Sequence, residues 1–497
     1  MDGLFALRAG ATLLGLIALS LAVWKYQQTL SALHKFFTEP SSPVNLGIVR
    51  IIVFGTLFES SLASQASWLA GLPSQFQHLP RGWVWLADTG LFEPRIVHAA
   101  QLGLIVGSAL ATAGALTAVA MPLTSLCALL VFGVENFYFK IGHSLHVPTL
   151  AACVLAASPA GDALSIDSLL RRLRKRPSFA DSIVYTAPVR FCWLLVGTMY
   201  LFPGLWKLWE SGDQWIDGSK LVNEMFDKWA QLPEFTPRYR FDRVRWLLII
   251  LGSWTLVLEV FFFFMLFARA TRVAAALFAS SFHIGIGFTL GIWFSPFVPL
   301  ILLADIPQLF ELRALAPIGR VFERARARFA SALKHSPELG ALNRAPRWAA
   351  AAFAIGSVWL LGMFAAGLGP IDSWPIAVYP RFSDRKAAPT SSGMSLGVFV
   401  VQGDGSTVEL PHALDVLGDP AATYRVTRTL VRARDRNDKK TLNQYESLFV
   451  RIAEHARGPL APDEHLKVVS FHFPADPAER IGRGEEELIF ETEDGGS

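Results

Sequence analysis

The chain has 497 residues, 52% of them hydrophobic and only 17% charged, and a net charge of +4. Soluble domains carry about a quarter charged residues, and several apolar runs here are long enough to cross a hydrocarbon core about 30 Å thick. The composition excludes an ordinary soluble enzyme. The basic residues gather in a few loops without an aromatic-interleaved strand or groove, so the lipid bilayer is the expected partner and nucleic acid is not.

In chain order, Arg8 precedes "AGATLLGLIALSLAVW", which resembles a signal sequence but has no small-x-small cleavage site before Lys25, so it reads as a retained helix. The candidate spans are 9–29, 46–65, 97–121, 122–139, 143–158, 188–206, 246–268, 272–294, 297–312 and 347–368. The pair 122–139 and 143–158 is short and interrupted by polar residues, as a broken or re-entrant pair would be. When the spans alternate, "RRLRKR" at 171–176, "ARATR" at 268–272 and the 313–346 segment with "RVFERARAR" fall on one side, cytoplasmic by the positive-inside rule. The other side receives 66–96, 207–245 and everything after 369. The expected location is a bacterial inner membrane, with the C-terminal domain exoplasmic.

From 370 to 497 the chain is charged and turn-rich. "SLGVFVVQGDGSTVEL" reads as a hairpin around Asp404 and Gly405, and 422–434 and 440–457 have helical spacing. "LKVVSFHF" and "EELIFET" alternate like strands. The expected fold class is an all-α polytopic membrane bundle of nine to ten transmembrane helices with a small C-terminal α+β soluble domain. Its expected parts are an extra N-terminal helix and loop (1–43), the main membrane domain (44–310), a basic loop with the last span (311–369) and the soluble domain (370–497). Cys127, Cys153 and Cys192 are far apart and read as packing residues. With no phosphate loop, nucleophile elbow or spaced metal cluster, no metal is expected.

An ionisable group inside a span costs roughly 2.5–3.5 kcal/mol on insertion scales, so each one is a functional candidate. The candidates are Arg50 and Glu59, Glu135 and Lys140, Glu259, His283, and Lys207 at the outer end of the sixth span. Arg50 reads as a snorkelling residue near the cytoplasmic end, and Glu59 as the partner of a neighbouring helix. Glu259, mid-span in "WTLVLEVFFFF", needs a hydrogen-bond partner or a proton. His143 and His146 in "KIGHSLH" lack a third ligand and read as interfacial. Lys207, between Trp206 and Trp209, has two local readings. It is a membrane-surface anchor, or, if Pro203 and Gly204 interrupt the helix before it, an amine turned toward a cavity.

Taken together, three blocks resemble the horizontally transferred transmembrane (HTTM) domain family, which includes vitamin K-dependent gamma-carboxylase. One is Tyr200, Gly204, Lys207, Trp215 and Gly218; another is "ENFYF" at 135–139. The third is "FHIGIGFTLGIWFSPFVPL" at 282–300, with Glu259 one helix earlier, and "NLGIVRIIVFG" at 45–55 matches the family's opening helix. The resemblance covers about 44–310. It implies a carboxylase-like membrane enzyme in which Lys207 deprotonates a vitamin K or menaquinone-type quinol, with His283 and Glu259 also catalytic. Asn136, Tyr138, Tyr200, Trp206 and Gly287 are implied to bind substrate or cofactor. A base must be a neutral amine, and burial penalises the charged form. The alternation of spans puts Lys207, Asn136 and Tyr138 toward the exoplasmic side and Glu259 and His283 deeper. The chain departs from the carboxylase at Asn136, which replaces a histidine, and at Glu135, which replaces an asparagine; the large lumenal region for a propeptide is absent. The implied function is quinol-linked modification of an exported peptide. The alternative is a non-catalytic protein for maturation of, or immunity to, a secreted peptide. A transporter would show matching Gly/Pro-broken helices in two halves, and none is seen.

Overall fold

The computed structural model describes residues 2–80, 83–138, 143–304, 347–369, 374–376, 384, 388–417 and 420–492. The N-terminal residues form α1 (Asp2–Trp24) and α2 (Tyr26–Thr38). They run antiparallel to the longest helix, α9 (Thr186–Ile216). At one end Arg8 Nε donates to the Trp209 carbonyl at 2.6 Å; at the other the Thr186 hydroxyl donates to the Glu39 carbonyl at 2.6 Å.

Next come α3 (Pro43–Leu62), the single turn α4 (Ala66–Leu69), α5 (Pro94–Ala113), α6 (Thr117–Asn136), α7 (His146–Ala156) and α8 (Ile166–Leu173). After α9 follow α10 (Ser219–Trp229), α11 (Arg245–Met265), α12 (Arg269–Leu290), α13 (Phe297–Leu302) and α14 (Arg347–Leu368). Among the described residues, seven helices are long and apolar enough to span: α3, α5, α6, α9, α11, α12 and α14. At 1.5 Å per residue, the eleven residues of α7 and the six of α13 cannot cross alone.

The expected break between 121 and 122 lies earlier. Gly114 (φ 72°) and Leu116 (φ 50°) turn the chain in left-handed backbone. The Asp167 carboxylate then caps α6, accepting the N–H groups of Leu116 and Thr117 at 2.9 Å each. Pro122 sits inside α6 without ending it. Of the expected span 297–312, the described part holds α13, and its part from 305 onward, like the basic 313–346 loop, lies outside the described residues.

Arg50 is fully buried, which corrects its reading as a snorkelling residue. Its guanidinium donates to the carbonyls of Ala160 (3.0 Å), Leu164 (2.5 Å) and Thr112 (3.4 Å), sealing the end of the bundle where α5 turns into α6. The basic run 171–176 starts in the last turn of α8 and continues past it at that same end. Two further buried arginines, Arg190 and Arg272, lie 4.3 and 3.8 Å from the Trp193 ring.

The C-terminal domain is a four-stranded antiparallel sheet of order β2-β1-β3-β4: β1 Ser392–Val401, β2 Thr407–Glu409, β3 His465–Pro474 and β4 Glu485–Glu491. Gly405 (φ 80°) turns the β1–β2 hairpin as expected. Helices α15 (Pro420–Asp435) and α16 (Lys439–Arg457) bury Val426, Leu430, Leu448 and Ile452 against it. The domain docks on the end of the bundle opposite Arg50. Arg480 alone donates to the carbonyls of Trp229 (2.6 Å), Leu232 (3.0 Å), Pro233 (2.7 Å) and Phe235 (3.2 Å). Arg240 pairs with Asp476 at 2.8 Å, and Arg451 donates to Gly71 at 2.5 Å. The segments 66–80, 219–244 and the soluble domain therefore share one end of the molecule.

Candidate functional site

The face of α9 turned toward α11 carries Tyr200, Gly204, Lys207, Ser211 and Trp215, the spacing of one helical stripe. At Gly204 the two backbones come close: a Cβ there would lie 2.9 Å from the Glu259 carbonyl carbon. One turn later Lys207 is ion-paired with Glu259, and the two side chains are only 5% and 6% exposed. The Lys207 ammonium also sits 4.9 Å from the centroid of the Trp215 ring. The helix does not stop at Pro203 or Gly204, contrary to expectation; its kink is at Ser211 (φ −145°, ψ 26°). Lys207 is thus not a surface anchor. The second oxygen of Glu259, Oε2, and the fully buried Ser211 hydroxyl have no hydrogen-bond partner among the described residues.

A second polar contact lies seven residues, or about 10 Å, along the same helix. The Tyr200 hydroxyl meets His283 Nε2 of α12 at 2.9 Å. Tyr200 is stacked on Phe262 (3.9 Å between ring centroids), and His283 on Phe294 (4.6 Å). Lys207 and Glu259 stand at one level, so the expectation that Glu259 lies deeper than Lys207 is corrected. Among the expected site residues, the structure unites Lys207 with Glu259 and Tyr200 with His283.

The other expected residues lie elsewhere. Trp206 donates its indole N–H to the Gly367 carbonyl at 3.0 Å, tying α9 to α14. Gly287 is packed under Trp293, where a Cβ would lie 2.6 Å from the indole, so it seats that ring and opens no space beside His283. Asn136 donates to the Phe132 carbonyl of its own helix at 2.6 Å, and Tyr138 bridges Gln77 through the backbone. Both belong to the corner between α6 and α7. His143 and His146 are there too, both buried, with the His146 ring 4.6 Å from Trp374. Glu135 accepts from the Ser64 hydroxyl (2.7 Å) and the Gln65 N–H (3.1 Å), which fixes the turn into α4. Glu59 is exposed on α3, and Lys140 lies outside the described residues.

Two features escaped sequence reasoning. Ser211 carried no signal at all, since its importance lies in a kink. Lys220, fully buried and 2.7 Å from Glu224, was legible as an i,i+4 pair, but its burial was not, nor was its contact with Asp384, ahead of the sheet, at 3.2 Å. No group of three metal-ligating side chains occurs among the described residues.

No curated protein and no solved structure matches this chain. A family model, the HTTM domain, matches residues 38–307, more than half of the sequence and the whole stretch from α3 to α13 that carries both polar contacts. The chain belongs to the HTTM domain family.

Proposed function

We propose that this protein is a membrane enzyme in which Lys207 and Glu259 form the proton-accepting centre for a quinol-type compound drawn from the lipid phase, and that its product acts on an exported substrate. The observation that carries the reading is a buried ion pair with one carboxylate oxygen left over, beside a kinked helix whose buried Ser211 hydroxyl is also unpartnered. Buried polar atoms without partners are rare, and they mark places where a polar ligand completes the set.

The residues fit a flat hydroxylated ring: Trp215 offers an indole face, and Glu259 Oε2 and Ser211 Oγ offer acceptors. A bound quinol would supply an acidic hydroxyl and two reducing equivalents. The pair stores one proton in either of two places. With the proton on Lys207 Nζ the pair is at rest; when it passes to the Glu259 carboxyl, the lysine has a free lone pair and is the base. The Trp215 ring face steadies the cationic form. The Tyr200 hydroxyl and His283 imidazole, two turns away, can hold a proton in either direction according to the ring tautomer. In the carboxylase-like form of the proposal, reaction of the deprotonated quinol with dioxygen would supply the strong base that removes a γ-proton from a glutamate of an exported peptide, and carbon dioxide would add to the resulting carbanion.

Lipid extraction and mass spectrometry of the purified protein tests this reading. A quinone retained by the wild type and lost from Lys207→Met supports it; lipid extracts with no quinone, from protein purified in native membrane discs, contradict it.

A further inference from the structure

A cavity of about 300 Å³ lies at the seam between the C-terminal domain and the 74–80 segment, outside the matched domain's helical stripe. It is in the lower range of volumes that hold small ligands, about 300–1,000 Å³. Its floor is α15, which presents Arg425, Arg428 and Arg432 at i, i+3 and i+7, a single helical face. Thr429 and His78 add polar groups, and Tyr445 closes one wall edge-on to Phe76 at 5.2 Å. Among the described residues no acidic side chain lines it, and Arg428 and Arg432 form no ion pair. Elsewhere the same domain pairs its arginines: Arg434 with Glu487 at 2.8 Å, Arg457 with Glu464 at 2.9 Å and Arg483 with Glu409.

We propose that this cavity is a binding site for a phosphate-bearing ligand. Arg428 and Arg432 alone leave two positive charges on this face without an ion pair among the described residues. A phosphate carries about two negative charges at neutral pH, and its oxygens accept the paired N–H donors of arginine. The aromatic wall formed by Phe76 and Tyr445 takes the apolar part of the ligand. The site is also coupled to the membrane domain: the His78 N–H donates to the Phe137 carbonyl at 2.6 Å, and Gln77 bridges Tyr138, so the rim of the cavity is pinned to the end of α6. A soluble phosphate compound and the headgroup of an anionic phospholipid both present such oxygens, with about two negative charges on a phosphomonoester and about one on the diester of a headgroup.

The experiment uses the full chain in discs of neutral lipid, with inorganic pyrophosphate as soluble probe, followed by calorimetry. A parallel arm measures phosphatidylglycerol retained in native mass spectrometry. Saturable binding of pyrophosphate, weakened at least tenfold in Arg428→Ala/Arg432→Ala, assigns a soluble ligand. Retained phosphatidylglycerol, lost in the same variant and without pyrophosphate binding, assigns a headgroup; either result supports the site. If the double variant fails to fold, Arg428→Gln is measured instead. The control Arg436→Ala/Lys439→Ala removes two exposed charges of the same domain outside the cavity. Binding lost equally in the control, or absent in both arms, overturns the proposal. Binding of a glutamate-rich peptide with no response to either phosphate probe overturns it as well.

Discussion

Gly204 rests on the backbone of Glu259, and this contact between α9 and α11 is what lets Lys207, one turn further on, reach the Glu259 carboxylate. A methyl group at Gly204 would lie 2.7 Å from Glu259 Cβ and 2.9 Å from its carbonyl carbon and the Val260 nitrogen. Backbone cannot move aside as a flexible side chain can. Gly204→Ala should therefore cost about 1–3 kcal/mol of stability, the usual range for overpacking, and lower activity by separating the pair. Thermal unfolding in detergent reads the first effect. Unchanged stability would mean that the helices are not in contact there.

The ion pair itself has a distinctive mutational signature. Removing one partner of a buried pair leaves a bare charge and costs about 3–5 kcal/mol, whereas replacing both by apolar residues of similar size is often neutral. Lys207→Met and Glu259→Leu should each destabilise strongly, and the double variant should recover most of the loss while remaining inactive. Additive losses in the double variant would show that the side chains do not interact.

Acid should weaken the docking of the soluble domain. Partial burial pushes the Asp476 carboxyl up, but hydrogen bonds from Arg240 and the Ala478 N–H and the charges of Arg240 and Arg243 outweigh it and hold the group below its ordinary 3.8. A carboxyl depressed in the folded state stabilises fully above its unfolded value and loses that contribution as pH falls through the folded value. Amide protection across 229–235, measured as exchange relative to the intrinsic rate at each pH, should therefore stay high at neutral pH and fall below about pH 4, at the acidic end of the carboxylate range. In Asp476→Asn the acid-dependent step should be missing. An acid step that persists in this variant would assign it to another carboxylate.

Much of this architecture is readable from apolar run length, because a bilayer demands it. The spans of α3, α9, α11, α12 and α14 and the hairpin at Gly405 follow from hydropathy and turn chemistry alone. The α5–α6 boundary does not, because Pro122 is the louder punctuation while the turn is made by Gly114, Leu116 and a cap from Asp167, some fifty residues away. Pro203 misleads in the same way, since a long helix packed on its neighbours absorbs it and bends instead at Ser211. Lys207, Glu259, Tyr200 and His283 are each conspicuous as polar residues in apolar surroundings. Their pairing is not legible, because it is set by the rotation of α9 against α11 and α12 and by the small footprint of Gly204. Arg50 looked like a snorkelling residue because local sequence does not show three carbonyls brought to it from two other segments.

The shared end formed by 66–80, 219–244 and the soluble domain should face the outside of the cell. Ser406, at the exposed tip of the β1–β2 hairpin, is a suitable reporter. In a background lacking Cys127, Cys153 and Cys192, Ser406→Cys should react with a membrane-impermeant maleimide in intact cells. Labelling only after lysis would place the domain in the cytoplasm and turn the whole bundle over.

The central claim is that Lys207 must be able to give up and take back a proton. Lys207→Arg keeps the charge and a partner for Glu259, but a guanidinium does not deprotonate at physiological pH. Quinol oxidation by the purified protein in nanodiscs, with folding checked by chromatography, is the deciding measurement. A folded Lys207→Arg protein as inactive as Lys207→Ala is the expected result; wild-type turnover from that protein would contradict the proton-accepting role and leave the pair with a structural one.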